Sequence, residues 1–123
     1  MRDTPRHAGI PSTDPLLYDK TNLGTALVYR CKGAFSLANH DQLGMLAEEI
    51  RRSDAAHTVL DLREVGYMDS VGVGTVAVAL KDTRARKRKL SLVPTPEIRT
   101  LLSASKLEGI LAIADSPEAA VGS

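Results

Sequence analysis

Apolar residues occur along this chain in short runs with two different periods. Residues 16–18 and 26–31 are compact apolar runs of the kind found in strands, and Asn22 and Gly24 between them favour a turn. These two runs predict a β-hairpin at the start of the fold. Further strand-like runs lie at residues 58–62, 90–93 and 110–113.

Helical spacing separates the later strand-like runs. Residues 43–50 and 73–80 carry apolar side chains three and four positions apart, which predicts two helices. Val76 and Leu80 in the second helix should face a sheet. The two helices would then cover the strands that precede and follow them.

Polar residues at the predicted helix starts match known capping patterns. Asn39 is the expected N-cap of the first helix, and Gln42 three residues later completes a capping box. Thr95 and Ser116 each precede a proline, which is typical of a helix start. They predict a third helix and a short fourth one.

The order of these elements predicts the fold class. Strands that alternate with helices need crossover connections, so the later strands should lie parallel and be flanked by helices. We expect an α/β fold: one domain with a mixed sheet of about five strands, an N-terminal hairpin and about four helices. Because Pro5, Pro11 and Pro15 lie in a stretch without hydrophobic period, we expect residues 1–14 to form a flexible tail and residues 15–123 the domain.

Composition supports a single domain and argues against several classes of protein. The 123 residues suit one domain, with 43% hydrophobic and 25% charged residues. The longest nearly apolar stretch, residues 71–80, is far shorter than the ~20 residues of a membrane-spanning helix, so no membrane association is expected. The amino terminus lacks the apolar core of a secretory signal, which makes the cytoplasm the expected location. A net charge of +1 and 3% aromatic residues do not favour nucleic-acid binding.

One segment, residues 67–74, joins a predicted strand to a predicted helix. In a purely structural interpretation, Asp69 or Ser70 caps the helix, while Gly72 and Gly74 permit close packing on the sheet. A different class of function is also possible from these residues: the chain could be a small nucleotide-binding protein that uses the Gly72-x-Gly74 loop. The dinucleotide-binding fingerprint begins with two glycines at this spacing. That fingerprint needs an acid ~20 residues later to hold the ribose, and this chain has none there.

The sequence contains no recognisable catalytic or metal-binding pattern. A hydrolase nucleophile at Ser70 would need glycine where Met68 stands, and the three histidines do not have the spacing of triad partners. Cys31 is the only cysteine, so neither a disulfide nor a cysteine-based zinc site is expected. We therefore expect a binding protein rather than an enzyme, with no catalytic residue, metal or cofactor.

Residues 61–74, which contain the run Met-Asp-Ser-Val-Gly-Val-Gly, resemble the signature of STAS domains, specifically of the bacterial anti-sigma factor antagonists. Two further blocks, residues 32–35 and 94–102, resemble the same family in the same order, and the similarity extends over about residues 16–121. The resemblance implies a small α/β regulatory protein. Its implied partner is an anti-sigma factor with serine-kinase activity.

The resemblance also implies a switch at Ser70. The kinase would phosphorylate Ser70, and the unphosphorylated protein would bind the anti-sigma factor and free the sigma factor. A protein serine phosphatase is a further implied partner, and a weak homodimer is also expected. A phosphate of about −2 charge on Ser70 would be tolerated by free N–H groups at the helix start, but it would add to the charge of Asp69 at an interface. The implied partner-binding residues are Ser36, Asp69, Ser70, Val71, Gly72 and Val73.

Three positions depart from the family pattern. Ala34 and Ser36 stand where antagonists usually carry acidic residues, and Val71 replaces a second hydroxyl residue. The first two departures favour an alternative in which the chain is a STAS adaptor subunit of another signalling or transport assembly, without a sigma factor. The third leaves Ser70 as the only serine of the motif.

A basic cluster follows the second predicted helix, where residues 81–89 hold six of the 16 lysines and arginines. In the simpler interpretation, these cations are solvated and complement the helix C-terminus. In the alternative, they form an electrostatic patch for an acidic protein or another polyanion. No aromatic residue lies within the cluster, so sequence-specific nucleic-acid recognition is not expected. The residues of the patch are Arg84, Arg86, Lys87, Arg88 and Lys89.

Overall fold

A computed structural model describes residues 11–122 of the chain. Its strands form one mixed sheet in the order β1-β2-β3-β4. The first two strands form the expected antiparallel hairpin, whereas β3 lies parallel to both β2 and β4. The strands are β1, Leu17–Leu23; β2, Ala26–Phe35; β3, His57–Met68; and β4, Lys89–Val93.

The fifth strand expected at residues 110–113 does not form. Within the described part of the chain, the sheet has four strands, and Ile113 makes only an isolated parallel bridge to Leu92. This bridge consists of the bonds Leu92 N to Ala112 O, 2.8 Å, and Ala114 N to Leu92 O, 2.9 Å. Ile110 belongs to a 3-10 turn, and of residues 111–116, which precede α4, only those around Ile113 hydrogen-bond to the sheet.

Among the residues that the structure describes, four α-helices confirm the predicted count. They are α1, His40–Arg52; α2, Ser70–Ala85; α3, Pro96–Ser103; and α4, Pro117–Gly122. Single 3-10 turns lie at Pro11–Thr13, Leu37–Asn39 and Glu108–Ile110. No helix within residues 11–122 combines the length and apolar character needed to cross a membrane.

The sheet is covered unequally on its two faces, because successive side chains of a strand point to opposite sides. The larger core contains Tyr29 and Leu60 from the strands, packed with buried side chains of α1, α2 and α3. Val76 and Leu80 of α2 are buried there, as predicted from their spacing. On the other face, Val28, Val59 and Val93 pack with Ala120 of α4 in a smaller cluster.

Asn39 has a different role from the predicted one. It precedes α1, but its side chain makes no capping hydrogen bond, so the expected capping box with Gln42 is wrong. The Asn39 amide instead donates to the backbone oxygens of Asp14, at 2.7 Å, and Ala34, at 2.8 Å. Asn39 therefore ties the end of β2 to the segment that precedes β1.

The segment before β1 packs on the domain as far as it is described. Ser36 Oγ donates to Ser12 O at 2.5 Å, in addition to the Asn39 contact with Asp14. A Cβ at Gly33, which has φ of +98°, would lie 1.9 Å from Pro15 O, so glycine permits this close crossing. Most of the predicted tail, residues 1–10, lies outside the described residues, whereas residues 11–14 contact the connection between β2 and α1.

Candidate functional site

The candidate site lies where β2 and β3 end and α2 begins. β3 ends at Met68, Asp69 is the N-cap, and Ser70 is the first residue of α2. The Asp69 N–H donates to Phe35 O at 3.1 Å, which holds this connection beside the end of β2. The predicted segment 67–74 therefore occupies one end of the sheet.

The Asp69 carboxylate is held by backbone donors from two parts of the chain. Its Oδ1 accepts hydrogen bonds from Val71 N, at 2.9 Å, and Gly72 N, at 3.3 Å, which is helix N-capping. Its Oδ2 accepts from Leu37 N at 3.1 Å, in the connection between β2 and α1. Asp69 is thus the cap of α2 and also links the two connections of the site.

Ser70 is exposed, and its neighbours in the motif differ in burial. Val71 and Val73 are half-buried and pack against the larger core, whereas Gly72 is buried. Within residues 69–74, Ser70 is therefore the exposed residue that carries a hydroxyl. It lies directly after a fixed carboxylate, at the positive end of the α2 dipole.

Gly72 is required by the packing of α2 on β2. A Cβ at this position would lie 2.2 Å from Phe35 O and 2.9 Å from Met68 Cγ. Gly74, by contrast, has nothing within 4 Å of its Cβ position. The space at Gly72 is therefore filled by Phe35, and the N–H groups of Val71 and Gly72 already bind Asp69, which argues against the nucleotide-binding alternative.

Ser36 does not join the exposed surface of the site. Only 1% of Ser36 is exposed, because its hydroxyl donates inward to Ser12 O. The next residue, Leu37, is 66% exposed and was not predicted as a site residue. Its only signal in the sequence is that it is a large apolar residue outside the helical period that follows.

A groove extends the site along β3. β4 pairs only with residues 57–61 of β3, so the second half of β3 has a free edge beside α3. The cavity there has a volume of about 490 Å³ and is lined by Arg63, Tyr67, Thr95, Glu97 and Leu101, among others. Tyr67 and Leu101 are 38% and 37% exposed, so the groove offers apolar surface along β3 as far as Met68, two residues before Ser70.

The strongest ion pair of the sheet lies away from Ser70, on β3. Arg63 Nε and Nη2 donate to the two carboxylate oxygens of Asp61 at 3.0 and 2.9 Å. Burial raises the pKa of Asp61, but the hydrogen bonds from Arg63 and the charges of Arg63 and Arg30 outweigh burial and hold that pKa below its usual value. This pair stabilises the sheet rather than the candidate site.

Two other titratable side chains, Cys31 and His57, contribute to the structure of the sheet rather than to the candidate site. Burial, with the charges of Asp61 and Asp19, raises the pKa of Cys31 to about 12, so the thiol is unreactive near neutral pH. His57 Nε2 lies 2.8 Å from Ser91 Oγ, between β3 and β4. Within residues 11–122, no three His, Cys, Asp or Glu side chains are placed to hold a metal ion together.

The basic cluster lies at the opposite end of α2 from Ser70. The helix has 16 residues, so its ends are about 24 Å apart. Arg86 Nε lies 3.5 Å from Asp82 Oδ2, while Arg88 donates to Ser53 O and lies 3.9 Å from Asp54. Arg84, Lys87 and Lys89 are exposed. The structure therefore separates the predicted patch from the site at Ser70.

Comparison with known proteins identifies the fold. The family model of the STAS domain matches residues 18–120. The unphosphorylated anti-sigma factor antagonist SpoIIAA of Bacillus is 20% identical, with a TM-score of 0.67 over 85% of this chain and 93% of that chain. Its phosphorylated form is 20% identical, with a TM-score of 0.64 over 86% and 97% of the two chains.

A second protein shares the architecture. An anti-sigma factor antagonist from Mycobacterium paratuberculosis is 15% identical to this chain. Its TM-score is 0.79, over 87% of this chain and 92% of that one. These structural likenesses show a common fold, and the family model covers most of the sequence. This chain therefore belongs to the STAS domain family.

Proposed function

We propose that this protein is an anti-sigma factor antagonist whose binding is switched by phosphorylation of Ser70. Proteins of the STAS anti-sigma factor antagonist family are binding or regulatory proteins rather than enzymes. The observation that carries the proposal is the exposed Ser70 hydroxyl at the start of α2, directly after the fixed carboxylate of Asp69. The proposed partner is an anti-sigma factor with serine-kinase activity, in the cytoplasm.

The surface around unmodified Ser70 suits a protein partner. The exposed Leu37 is hydrogen-bonded through its N–H to Asp69, and Tyr67 and Leu101 border the groove along β3. Exposed apolar side chains next to polar groups are typical of protein-binding surfaces. Docking of the anti-sigma factor here would displace the sigma factor.

Phosphorylation would change the charge of this surface without rebuilding the fold. Ser70 Oγ would attack the γ-phosphorus of ATP, the bond to ADP would break, and the hydroxyl proton would pass to a base of the kinase. The resulting phosphate, of about −2 charge, would lie beside Asp69. Asp69 already binds the N–H groups of Val71 and Gly72, so fewer free N–H groups remain for the phosphate than the sequence predicted.

This crowding of negative charge supports release of the partner. Burial of the phosphate and the Asp69 carboxylate in one interface would cost desolvation energy of both groups and add mutual repulsion. The unphosphorylated form would therefore bind and the phosphorylated form would dissociate. Removal of the phosphate by a protein serine phosphatase would restore binding.

A second candidate is the adaptor subunit of another signalling or transport assembly. Ala34 and Ser36, which stand where antagonists usually carry acids, are 0% and 1% exposed. Neither residue offers a charge to a kinase. An adaptor that is never phosphorylated would use the same surface without a switch.

The two candidates differ in one experiment. The protein is incubated with Mg²⁺, ATP and the anti-sigma kinase from the same genome, and the modified residue is mapped by mass spectrometry. We expect phosphate on Ser70, none on the Ser70→Ala variant, and normal modification of the control Ser103→Ala, whose hydroxyl lies at the end of α3. Ser70→Ala should still bind the kinase, and Ser70→Glu should bind it on the order of tenfold more weakly.

The opposite outcomes favour the adaptor. These are phosphate on a residue other than Ser70, or no phosphate while a known antagonist is modified in parallel by an active kinase. Equal binding of Ser70→Ala and Ser70→Glu would also contradict the switch.

A further inference from the structure

The exposed cations at the C-terminal end of α2 form a second charged surface that the proposed switch does not use. We define the basic end as Lys81, Arg84, Lys87 and Lys89, all of which are exposed. Arg86 and Arg88 in the same stretch are engaged by Asp82 and by Ser53 and Asp54. The basic end is thus the part of the cluster whose charge has no ion-pair partner within residues 11–122.

The backbone at Lys87 adopts a left-handed conformation that is costly for a lysine. Lys87 N donates to Arg84 O at 2.9 Å, and Arg88 N donates to Thr83 O at 2.8 Å. This pair of bonds is a Schellman motif, in which glycine is strongly preferred at the left-handed position. Lys87 has φ of +59° at that position, so the chain carries a lysine where glycine would be less strained.

The chemistry of the basic end favours a protein partner over a membrane. The exposed large apolar residues are Leu17, Leu37, Met45, Tyr67, Val78 and Leu101, and none of them lies within residues 81–89. A surface helix that binds bilayers normally inserts such side chains. Val78, three positions before Lys81 on α2, is the nearest of them in the sequence, so the helix offers the basic end a single valine rather than an apolar face.

Nucleic acid is also a poorer occupant than an acidic polypeptide. Four exposed cations would neutralise about four phosphates, whereas useful affinity for duplex DNA commonly rests on roughly 6–10 phosphate contacts. The ring-bearing residues needed for stacking on bases are absent from residues 81–89. An acidic peptide needs fewer contacts, since one guanidinium such as that of Arg84 can bind a carboxylate through two hydrogen bonds.

We propose that the basic end binds an acidic segment of a partner protein, at a site separate from Ser70. The distance of about 24 Å along α2 leaves both ends accessible at once. The acidic segment pairs its carboxylates with Arg84, Lys87 and Lys89, and its binding weakens as salt screens these charges. This second interaction does not depend on phosphorylation of Ser70.

The test uses a fluorescently labelled synthetic peptide rich in glutamate, with binding followed by anisotropy across a salt series. The combined variant Arg84→Gln, Lys87→Gln and Lys89→Gln removes charge without breaking an ion pair of the fold. We expect its affinity to fall by about fivefold or more at low salt, with a flatter salt dependence. The combined control Lys32→Gln, Arg99→Gln and Lys106→Gln removes the same charge elsewhere on the surface, again without breaking an ion pair among residues 11–122, and should change affinity less than about twofold.

A single substitution separates charge from folding. Lys87→Gly relieves the left-handed backbone, so it should resist urea at least as well as the parent protein while binding the peptide more weakly. Equal loss of affinity in the two combined variants, or unchanged binding by Lys87→Gly, would overturn the proposal. Tighter binding of the parent to duplex DNA or to anionic lipid vesicles than to the peptide would overturn it in favour of those polyanions.

Discussion

Asp69 and Ser70 are adjacent residues with separate roles. Asp69 accepts three backbone hydrogen bonds, whereas Ser70 exposes its hydroxyl and caps nothing. We predict that Asp69→Ala lowers the free energy of unfolding by about 1–3 kcal/mol, because three N–H groups lose their acceptor. Ser70→Ala should change it by less than about 0.5 kcal/mol, as an exposed substitution does. Urea denaturation measures both values.

A conservative variant provides the control for this prediction. Asp69→Asn keeps a side-chain oxygen that can accept hydrogen bonds and should be less destabilised than Asp69→Ala. If Ser70→Ala proved as destabilised as Asp69→Ala, the capping role assigned to Asp69 would be wrong.

Residue-scale features were predictable where the chemistry is local. The sequence limited the N-cap of α2 to Asp69 or Ser70, because an N-cap side chain accepts from N–H groups only two or three positions later. The structure shows that Asp69 is the cap. The burial of Ser36 could not be predicted, because it depends on Ser12, 24 positions away. The same reason explains Asn39, whose amide binds Asp14 and Ala34 instead of capping α1.

At the scale of elements, the contact between α2 and β2 depends on one glycine. A methyl group at Gly72 would collide with the Phe35 backbone, whereas one at Gly74 would meet open space. We predict that Gly72→Ala destabilises the protein by roughly 1–3 kcal/mol through overpacking. Gly74→Ala should stabilise it by up to about 1 kcal/mol through helix propensity. Thermal and urea unfolding of the two variants should therefore shift in opposite directions.

The same chemical change at two positions of one helix makes this comparison internally controlled. If Gly72→Ala and Gly74→Ala were destabilised to a similar extent, the close packing assigned to Gly72 and the open space assigned to Gly74 would be wrong. Retained affinity for the anti-sigma kinase in Gly74→Ala would separate stability from binding.

Element boundaries were predictable from caps but not from apolar runs. Thr95 and Ser116 bond to Ile98 N and Ala119 N at 3.1 and 3.0 Å, as the sequence indicated. β3 runs to Met68, beyond the predicted end at residue 62, because pairing with β2 continues past the exposed residues Arg63 and Glu64. Pairing between strands is a tertiary contact, so the pattern of apolar residues in one strand does not predict where the pairing ends.

At the scale of the whole molecule, alternation of strands and helices was enough to predict the parallel sheet and its helical layers. This alternation overestimated the number of strands by one, since residues 110–113 are apolar, but Ile110 belongs to a 3-10 turn and only Ile113 forms a bridge to β4. The separation of Ser70 from the basic end also followed from the length of one predicted helix. Which side chains around Ser70 are exposed could not be predicted, because exposure depends on how the layers pack.

Stability should depend on pH through His57, where β3 and β4 begin. Burial and the charge of Lys89 lower the pKa of His57 below 6.5 in the folded protein. The unfolded chain therefore takes up a proton more readily, so the stability that neutral His57 contributes is present above about pH 6.5 and is lost as the pH falls. The free energy of unfolding should decrease between about pH 7 and pH 5.

Two histidine variants test this dependence. His57→Gln should flatten the decrease in unfolding free energy over that pH interval, as measured by urea denaturation at each pH. His40→Gln, which changes a side chain that is 71% exposed, should keep the slope of the parent protein. A slope that His57→Gln leaves unaltered would assign the pH dependence to other groups.

The hydrogen bond between Leu37 N–H and Asp69 Oδ2 joins positions 32 residues apart in the sequence. Its spectroscopic consequence is that the amide proton of Leu37 senses the orientation of the Asp69 carboxylate. A phosphate on the neighbouring Ser70 repels that carboxylate, so the resonance of Leu37 would move even though its own covalent structure is unchanged. A single amide signal in the connection between β2 and α1 would thus record the fraction of molecules modified on α2.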